Sequence, residues 1–332
     1  MRAMRFSVVI PLYNGARHLA ETLAAITRQS LPPAEVLVCD DGSTDDGPRI
    51  AAGFGPPLRL LPAGPGKGVQ AARNRGIAAA ASEWIALCDH DDLWEPDYLA
   101  RHAALVAAVP TLDFVFANFR ALHEDGPAPR SKFDEAPDWF WPEVGRRILP
   151  EGWVFDRPMA GATFRWHPIF PSGTVLTKAL AARAGGFDQS LAGMRGEDGE
   201  FTLRCLYRAH VGAIPEPVFL YRRHATNFSR DQLRNLVDEV TLLRRIRATH
   251  AEAAPWHDVI DAEILRRSIE AANAAFAERD HALARRLLAA IPAEARDRRL
   301  RLKAAVLALP DALGRPVNAL LQRRSHRRSS RS

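Results

Sequence analysis

Cysteine is scarce in this chain: 332 residues hold three, and Cys39, Cys88 and Cys205 share no paired spacing. An odd, scattered set argues against a disulfide framework and predicts buried, reduced thiols in a cytoplasmic protein. Long apolar runs are missing as well. No stretch approaches the roughly 18 apolar residues of a membrane span, and Phe6 to Leu12 is too short for the apolar region of a secretory signal. No G-x-G-x-x-G follows the first apolar run, which argues against a nicotinamide dehydrogenase. Gly64-Pro65-Gly66-Lys67-Gly68 imitates a phosphate loop, but Leu61 and Gly68 stand where that pattern needs Gly and Ser or Thr. ATP hydrolysis is not expected.

Positive charge is plentiful but unevenly placed. The net charge is +6, yet residues 301–332 hold eight Lys/Arg and one acid, which leaves residues 1–300 at −1. The tail Arg323-Arg324-Ser325-His326-Arg327-Arg328 lacks interleaved aromatics and has no binding module around it, so no nucleic-acid partner is expected. A solvated tail is the default. Where it has a partner, an anionic membrane surface suits it, each basic residue adding about 1 kcal/mol. The chain is then peripheral on the cytoplasmic face of a membrane.

Apolar periodicity divides the chain. Residues 5–120 alternate strand and helix signals: strands at Phe6–Ile10, Val36–Cys39, Leu58–Leu61, Trp84–Cys88 and Phe114–Phe116, with helical spacing over 16–29, 68–81 and 96–108. Ser43-Thr44-Asp45-Asp46 has the form of a capping box opening a helix toward Ala52. Such alternation predicts an α/β fold, a doubly wound and mainly parallel Rossmann-like sheet. From 121 to 170 the pattern fades into Pro, Gly and aromatic residues. Signals return at Gly173–Leu176 and at a helix over 197–209, and beyond about 228 the sequence reads as all helical. The expected division is a catalytic domain 1–227, a helical domain 228–320 and a basic tail 321–332.

Three acidic clusters carry the chemistry: Asp40-Asp41-Gly42-Ser43, Asp89-His90-Asp91-Asp92 and Glu197-Asp198. The first two follow short apolar runs that read as buried parallel strands. Carboxylates at the C-terminal ends of such strands fall in the crevice where open α/β sheets bind ligands. Crowded there, they repel one another unless a cation sits among them, which suggests a divalent metal and a phosphorylated ligand.

In order along the chain, Val8-Val9-Ile10-Pro11-Leu12-Tyr13-Asn14, Asp40 to Asp45, Ala72-Arg73-Asn74-Arg75-Gly76, Asp89-His90-Asp91-Asp92, Pro171-Ser172-Gly173, Gly185-Gly186-Phe187-Asp188 and Gly196-Glu197-Asp198 resemble the motifs of inverting family 2 glycosyltransferases of the GT-A fold. The resemblance covers residues 5–225. It implies a nucleotide-sugar donor, with a UDP-sugar the leading candidate, a glycan or lipid-linked acceptor, and manganese or magnesium as cofactor. Asp91 is then the metal carboxylate, and Asp89 contacts the ribose or completes the coordination shell. Asp40 reads the nucleobase edge or ribose, Pro11 and Tyr13 wall the base, and Arg73 reaches the donor. Asp198 is the general base, with Glu197 beside it as a positioning residue. Tyr221-Arg222-Arg223-His224 matches an Arg-x-His ending that closes over the donor, with His224 as a metal or diphosphate ligand. Asn74 fixes a loop, and Trp139, Trp141, Trp153 and Trp166 mark an acceptor side. A nucleotidyltransferase of similar fold, or a non-catalytic sugar-nucleotide-binding module, is the alternative.

Overall fold

A computed structural model describes residues 4–64, 67–223 and 231–308. Two compact units divide the chain, one within residues 1–227 and one within 228–332.

In the first unit, apolar runs form the sheet's interior. The strands are β1 (Phe6–Leu12), β2 (Glu35–Asp40), β3 (Leu58–Leu61), β4 (Trp84–Leu87), β5 (Leu93–Trp94), β6 (Phe114–His123), β7 (Gly126–Ser131), β8 (Arg146–Leu149), β9 (Gly152–Phe155), β10 (Thr174–Thr177) and β11 (Val211–Arg222). Every residue of β1, β2 and β4 is buried, as continuous apolar strands covered on both faces require. The helices are α1 (Ala16–Thr27), α2 (Gly47–Gly53), α3 (Val69–Ala79), α4 (Tyr98–Ala108), α5 (Phe140–Val144), α6 (Ala160–Thr163), α7 (Lys178–Arg183) and α8 (Glu197–Leu206). On α1, Leu19, Leu23 and Ile26 form the buried stripe that their spacing predicts.

The strands join in the order β3-β2-β1-β4-β10-β6-β11-β9-β8, with β5 on β11 and β7 on β6. Pairing is parallel across β3-β2-β1-β4 and between β6 and β11. The chain leaves β1 toward β2 and β3, then returns to place β4 on the other side of β1. That reversal is the switch point where ligands enter doubly wound sheets. Leu12, Asp40 and Leu87 end the three strands there. β10 runs antiparallel between β4 and β6.

Two local expectations change. Ser43–Asp46 forms no capping box: α2 starts at Gly47 without a side-chain cap. The Asp45 carboxylate instead accepts the Gly47 N–H at 3.0 Å and the Ala16 N–H of α1 at 2.8 Å. Residues 121–170 are more regular than their composition suggests. β7 carries Pro127 and Pro129 because it pairs only with β6, and an edge strand tolerates a missing N–H.

The second unit holds α9 (Gln232–Thr249), α10 (His257–Ala277), α11 (His281–Ala289) and α12 (Arg298–Ala308). Its core sets Ala271, Ala272, Ala275 and Ala284 among Leu233, Phe276, Leu288 and Leu300. Asp231 and Asp280 cap α9 and α11 through the N–H groups of Arg234 and Leu283. Residues 309–320, expected in the helical domain, and the tail 321–332 lie outside the described residues.

Candidate active site

Asp40 closes β2. Its carboxylate accepts the N–H groups of Gly42 (3.3 Å) and Ser43 (3.0 Å), a local turn that needs Gly42 at φ +88°. Asn14, at φ +49°, ties the β1 loop to this turn: its side-chain oxygen accepts the Thr44 N–H at 2.8 Å, and its own N–H donates to Ser43 Oγ at 3.0 Å. Pro11 is buried within β1 opposite Cys39. Tyr13 stands at the mouth with 58% of its surface exposed, an open aromatic face and no part of the core.

The turn after β4 holds Asp89, His90 and Asp91 half-buried and Asp92 buried at 1% exposure. Burial, then the charges of Asp91 and Asp89, pushes the Asp92 carboxyl well above the usual carboxylate range. The His90 ring packs against Gly15, where a Cβ would sit 2.3 Å from it.

Arg73, on α3, is 3% exposed and reaches carboxylates from two separate parts of the chain. One nitrogen donates to Asp89 Oδ1 at 2.7 Å and another to Glu197 Oε1 at 3.5 Å, while the guanidinium lies 5.1 Å from the Phe187 ring centroid. Its charge is thus engaged by two carboxylates and an aromatic face. Asn74 exchanges two 2.8 Å hydrogen bonds with the Phe187 backbone and fixes that loop.

Glu197 and Asp198 open α8 behind Gly196 at φ +87°, in the first turn with Glu200. A helix N-terminus favours acids, but burial dominates at Glu197. Burial first, then the neighbouring Asp198 charge, lifts its carboxyl to about 7 against the opposing pull of Arg73. Glu200 belongs to the scaffold, paired with Arg204 at 2.6 Å.

No group of three or more His, Cys, Asp or Glu forms a metal cage among the described residues. The acids present suit a different mode, in which one or two carboxylates hold magnesium or manganese while phosphate and water oxygens complete the shell. Half-buried Asp91 and Asp89 fit that mode. His224 lies outside the described residues.

The four tryptophans belong to an aromatic cluster. Trp141 lies 5.0 Å from Trp153 and 5.9 Å from Trp166, with Phe133, Phe140 and Phe155 around them. Arg165 covers Trp139 at 3.8 Å and Arg146 covers Trp153 at 4.2 Å. These rings stack mainly on one another and on cations. Two site residues had no assigned role in the sequence: Ser172, whose only signal was its motif, and Phe187 beneath Arg73.

Residues 7–167 match the family described as Glycosyl transferase family 2. Validoxylamine A glucosyltransferase of Streptomyces hygroscopicus subsp. jinggangensis (strain 5008) is 32% identical over 229 residues, 64% of this chain and 53% of that protein. The chain spans about half the length of such curated relatives. S. aureus TarS 1-349, solved with UDP-GlcNAc, superposes with a TM-score of 0.59 at 20% identity, covering 92% of this chain and 89% of that one. The mannosyltransferase PcManGT of Pyrobaculum calidifontis, solved with GDP-Man and Mn2+, gives 0.55 at 21% identity, covering 95% and 83%. The structural likenesses speak for the fold, and the sequence match covers the part of the site from Pro11 to Asp92: residues 7–167 form a glycosyltransferase family 2 domain.

Proposed function

We propose that the chain is a metal-dependent inverting glycosyltransferase, moving a sugar from a nucleotide-diphosphate sugar to a hydroxyl of a glycan or lipid-linked acceptor. The observation that carries this reading is the Arg73 bridge, which brings the Asp89 turn and the Glu197-Asp198 pair to one guanidinium. That the carboxylates proposed for the donor and the acceptor share one guanidinium supports a direct displacement between them.

Asp198 takes the proton of the attacking hydroxyl, a role that contributes about 10²–10⁴-fold. Glu197, held by Arg73, keeps the head of α8 in place. Asp40 accepts from the nucleobase edge or ribose, and the exposed Tyr13 ring packs on the base. Asp91 with Asp89 would hold manganese or magnesium, which would supply Lewis-acid relief of the charge growing on the leaving diphosphate. A UDP-sugar is the first donor to test, supported by the UDP-GlcNAc complex of TarS. GDP-sugars come second, given the GDP-Man complex of PcManGT.

Turnover decides between this reading and a nucleotidyltransferase. Incubation with UDP- and GDP-sugars is expected to release nucleoside diphosphate with manganese and not without it. Pyrophosphate release from a nucleoside triphosphate and a sugar 1-phosphate, with no nucleoside diphosphate from the sugar nucleotides, would overturn the assignment.

Residues 1–227 are proposed as the catalytic domain, 228–320 as a helical domain and 321–332 as a basic tail that contacts anionic lipid. Among the described residues no helix is long and apolar enough to cross a membrane. Arg298, Arg299 and Arg301 are exposed on α12 and extend the basic character of the tail sequence. Sedimentation with anionic vesicles should carry down the full chain and lose most of it when residues 315–332 are removed; equal partitioning would end the lipid proposal.

A further inference from the structure

The turn Asp89–Asp92 is tied down from several elements at once. The Asp89 N–H donates to Ser172 Oγ at 2.9 Å, and the His90 carbonyl accepts from Thr22 Oγ1 on α1 at 3.0 Å. The Asp91 carbonyl accepts from Arg222 Nε at 2.8 Å. The Asp92 carboxylate accepts the Ser172 hydroxyl at 2.5 Å and the Arg222 N–H at 2.8 Å. Arg222, at the end of β11, also reaches Glu21 on α1 at 2.7 Å. Ser172 is anchored in turn, its carbonyl accepting from Trp94 Nε1 at 2.8 Å.

These contacts close a ring: Asp89 to Ser172, Ser172 to Asp92, Asp92 to Arg222, and Arg222 back to Asp91. Ordinary turn capping does not account for it. A neutral side chain would cap a four-residue turn without placing an acid, 1% exposed, beside two more carboxylates, an arrangement that costs desolvation and like-charge repulsion. What the ring fixes is the backbone on either side of His90, and hence the directions in which the Asp89 and Asp91 side chains leave it.

We infer that Asp92, Ser172 and Arg222 are positioning residues that orient Asp89 and Asp91 toward a divalent cation, touching neither cation nor donor themselves. The Arg-x-His ending, whose His224 lies outside the described residues, was expected to close over the donor; on the present inference Arg222 has the task of holding the Asp91 carbonyl. This inference rests on the proposed metal role of Asp91.

The test compares the full chain with its Ser172→Ala and Arg222→Lys variants, measuring free manganese by electron paramagnetic resonance in the presence of UDP and, separately, GDP. Loss of an outer partner of a metal ligand typically weakens metal affinity about 10–100-fold. Both variants are expected to show that loss, with a matching rise in the manganese concentration that half-saturates turnover. At saturating manganese kcat should stay within about threefold of wild type, and the double variant should lose less than the product of the single losses, because one ring is broken. Unchanged manganese affinity in Ser172→Ala, judged against a melting curve that confirms folding, would overturn the ring. So would an Arg222→Lys variant with normal manganese affinity and a kcat lowered at saturating metal, since Arg222 would then act on the donor. A wild type that retains no manganese with either nucleotide overturns the metal reading beneath the inference, and the unmutated control tells that failure apart.

Discussion

Arg73 and Asp89 are joined by a 2.7 Å ion pair in which the arginine side chain is 4% exposed and the aspartate 26%. The same guanidinium reaches Glu197 at 3.5 Å, so one buried cation balances two carboxylates far apart in the sequence. Removing one partner of a buried pair leaves an uncompensated charge and costs about 3–5 kcal/mol. Arg73→Ala is therefore expected to lower the urea midpoint strongly and to reduce transfer. Arg73→Lys should lose less stability, because it keeps a charge but not the two-pronged reach. An Arg73→Ala midpoint equal to wild type would show that the bridge carries no load.

On the proposed roles, variants at Asp198 and Asp91 separate acceptor chemistry from donor chemistry. Asp198→Ala is expected to reduce nucleoside diphosphate release by about 10²–10⁴-fold, the usual contribution of a general base, with an unchanged circular dichroism spectrum. Asp91→Ala should abolish release at ordinary manganese concentrations while donor-free folding is preserved. Near wild-type turnover in either variant refutes the role given to that residue.

The strands that deliver Asp40 and Asp89 were legible because continuous apolar runs ended by acids admit few other structures. The partners of those acids were not. Arg73 lies 16 residues from Asp89 and 124 from Glu197, and Ser172 lies 80 from Asp92. Periodicity reports which face of an element is buried, not which distant side chain it meets. The direction of β10 was hidden for the same reason, since four buried residues read identically parallel or antiparallel. At Ser43–Asp46 a genuine local signal misled, because the Asp45 carboxylate found a second donor on α1.

Gly76, in the Arg73-Asn74-Arg75-Gly76 motif, shows a packing constraint inside a functional motif. A Cβ there would meet Val9 Cγ1 at 2.4 Å and Cys39 Sγ at 2.8 Å, so α3 approaches β1 and β2 as closely as it does only because this position is bare. Gly76→Ala is expected to destabilise by about 1–3 kcal/mol, the usual cost of overpacking. It should also reduce turnover, because Arg73 sits one turn earlier on the same helix. Gly53→Ala on α2, where nothing lies within 4 Å of the added atom, is the matched control and should be neutral or slightly stabilising. Equal midpoints for the two variants would remove the close-approach explanation.

His102 gives the fold an acid-sensitive point away from the cleft. It lies on α4 fully buried, its Nδ1 donating to the Tyr98 carbonyl at 2.7 Å, and its Nε2 has no partner among the described residues. Burial, the larger influence, lowers its pKa to about 4 from an ordinary 6.5. The unfolded chain therefore binds the proton first as pH falls. The stability linked to His102 is fully present above pH 6.5 and is lost as pH falls toward 4, by up to about 3 kcal/mol. Glu35 and Asp134, whose pKa values are lowered in the fold, add losses of the same sign at more acid pH, whereas Glu197 and Asp92, whose pKa values are raised, contribute with the opposite sign. The informative quantity is thus the difference between wild type and His102→Phe, which keeps a ring against Tyr98 and removes the proton site. Urea midpoints taken from pH 7 to 4.5 should fall less in the variant, with the gap opening below pH 6.5; parallel decline of the two would show that His102 does not titrate with unfolding.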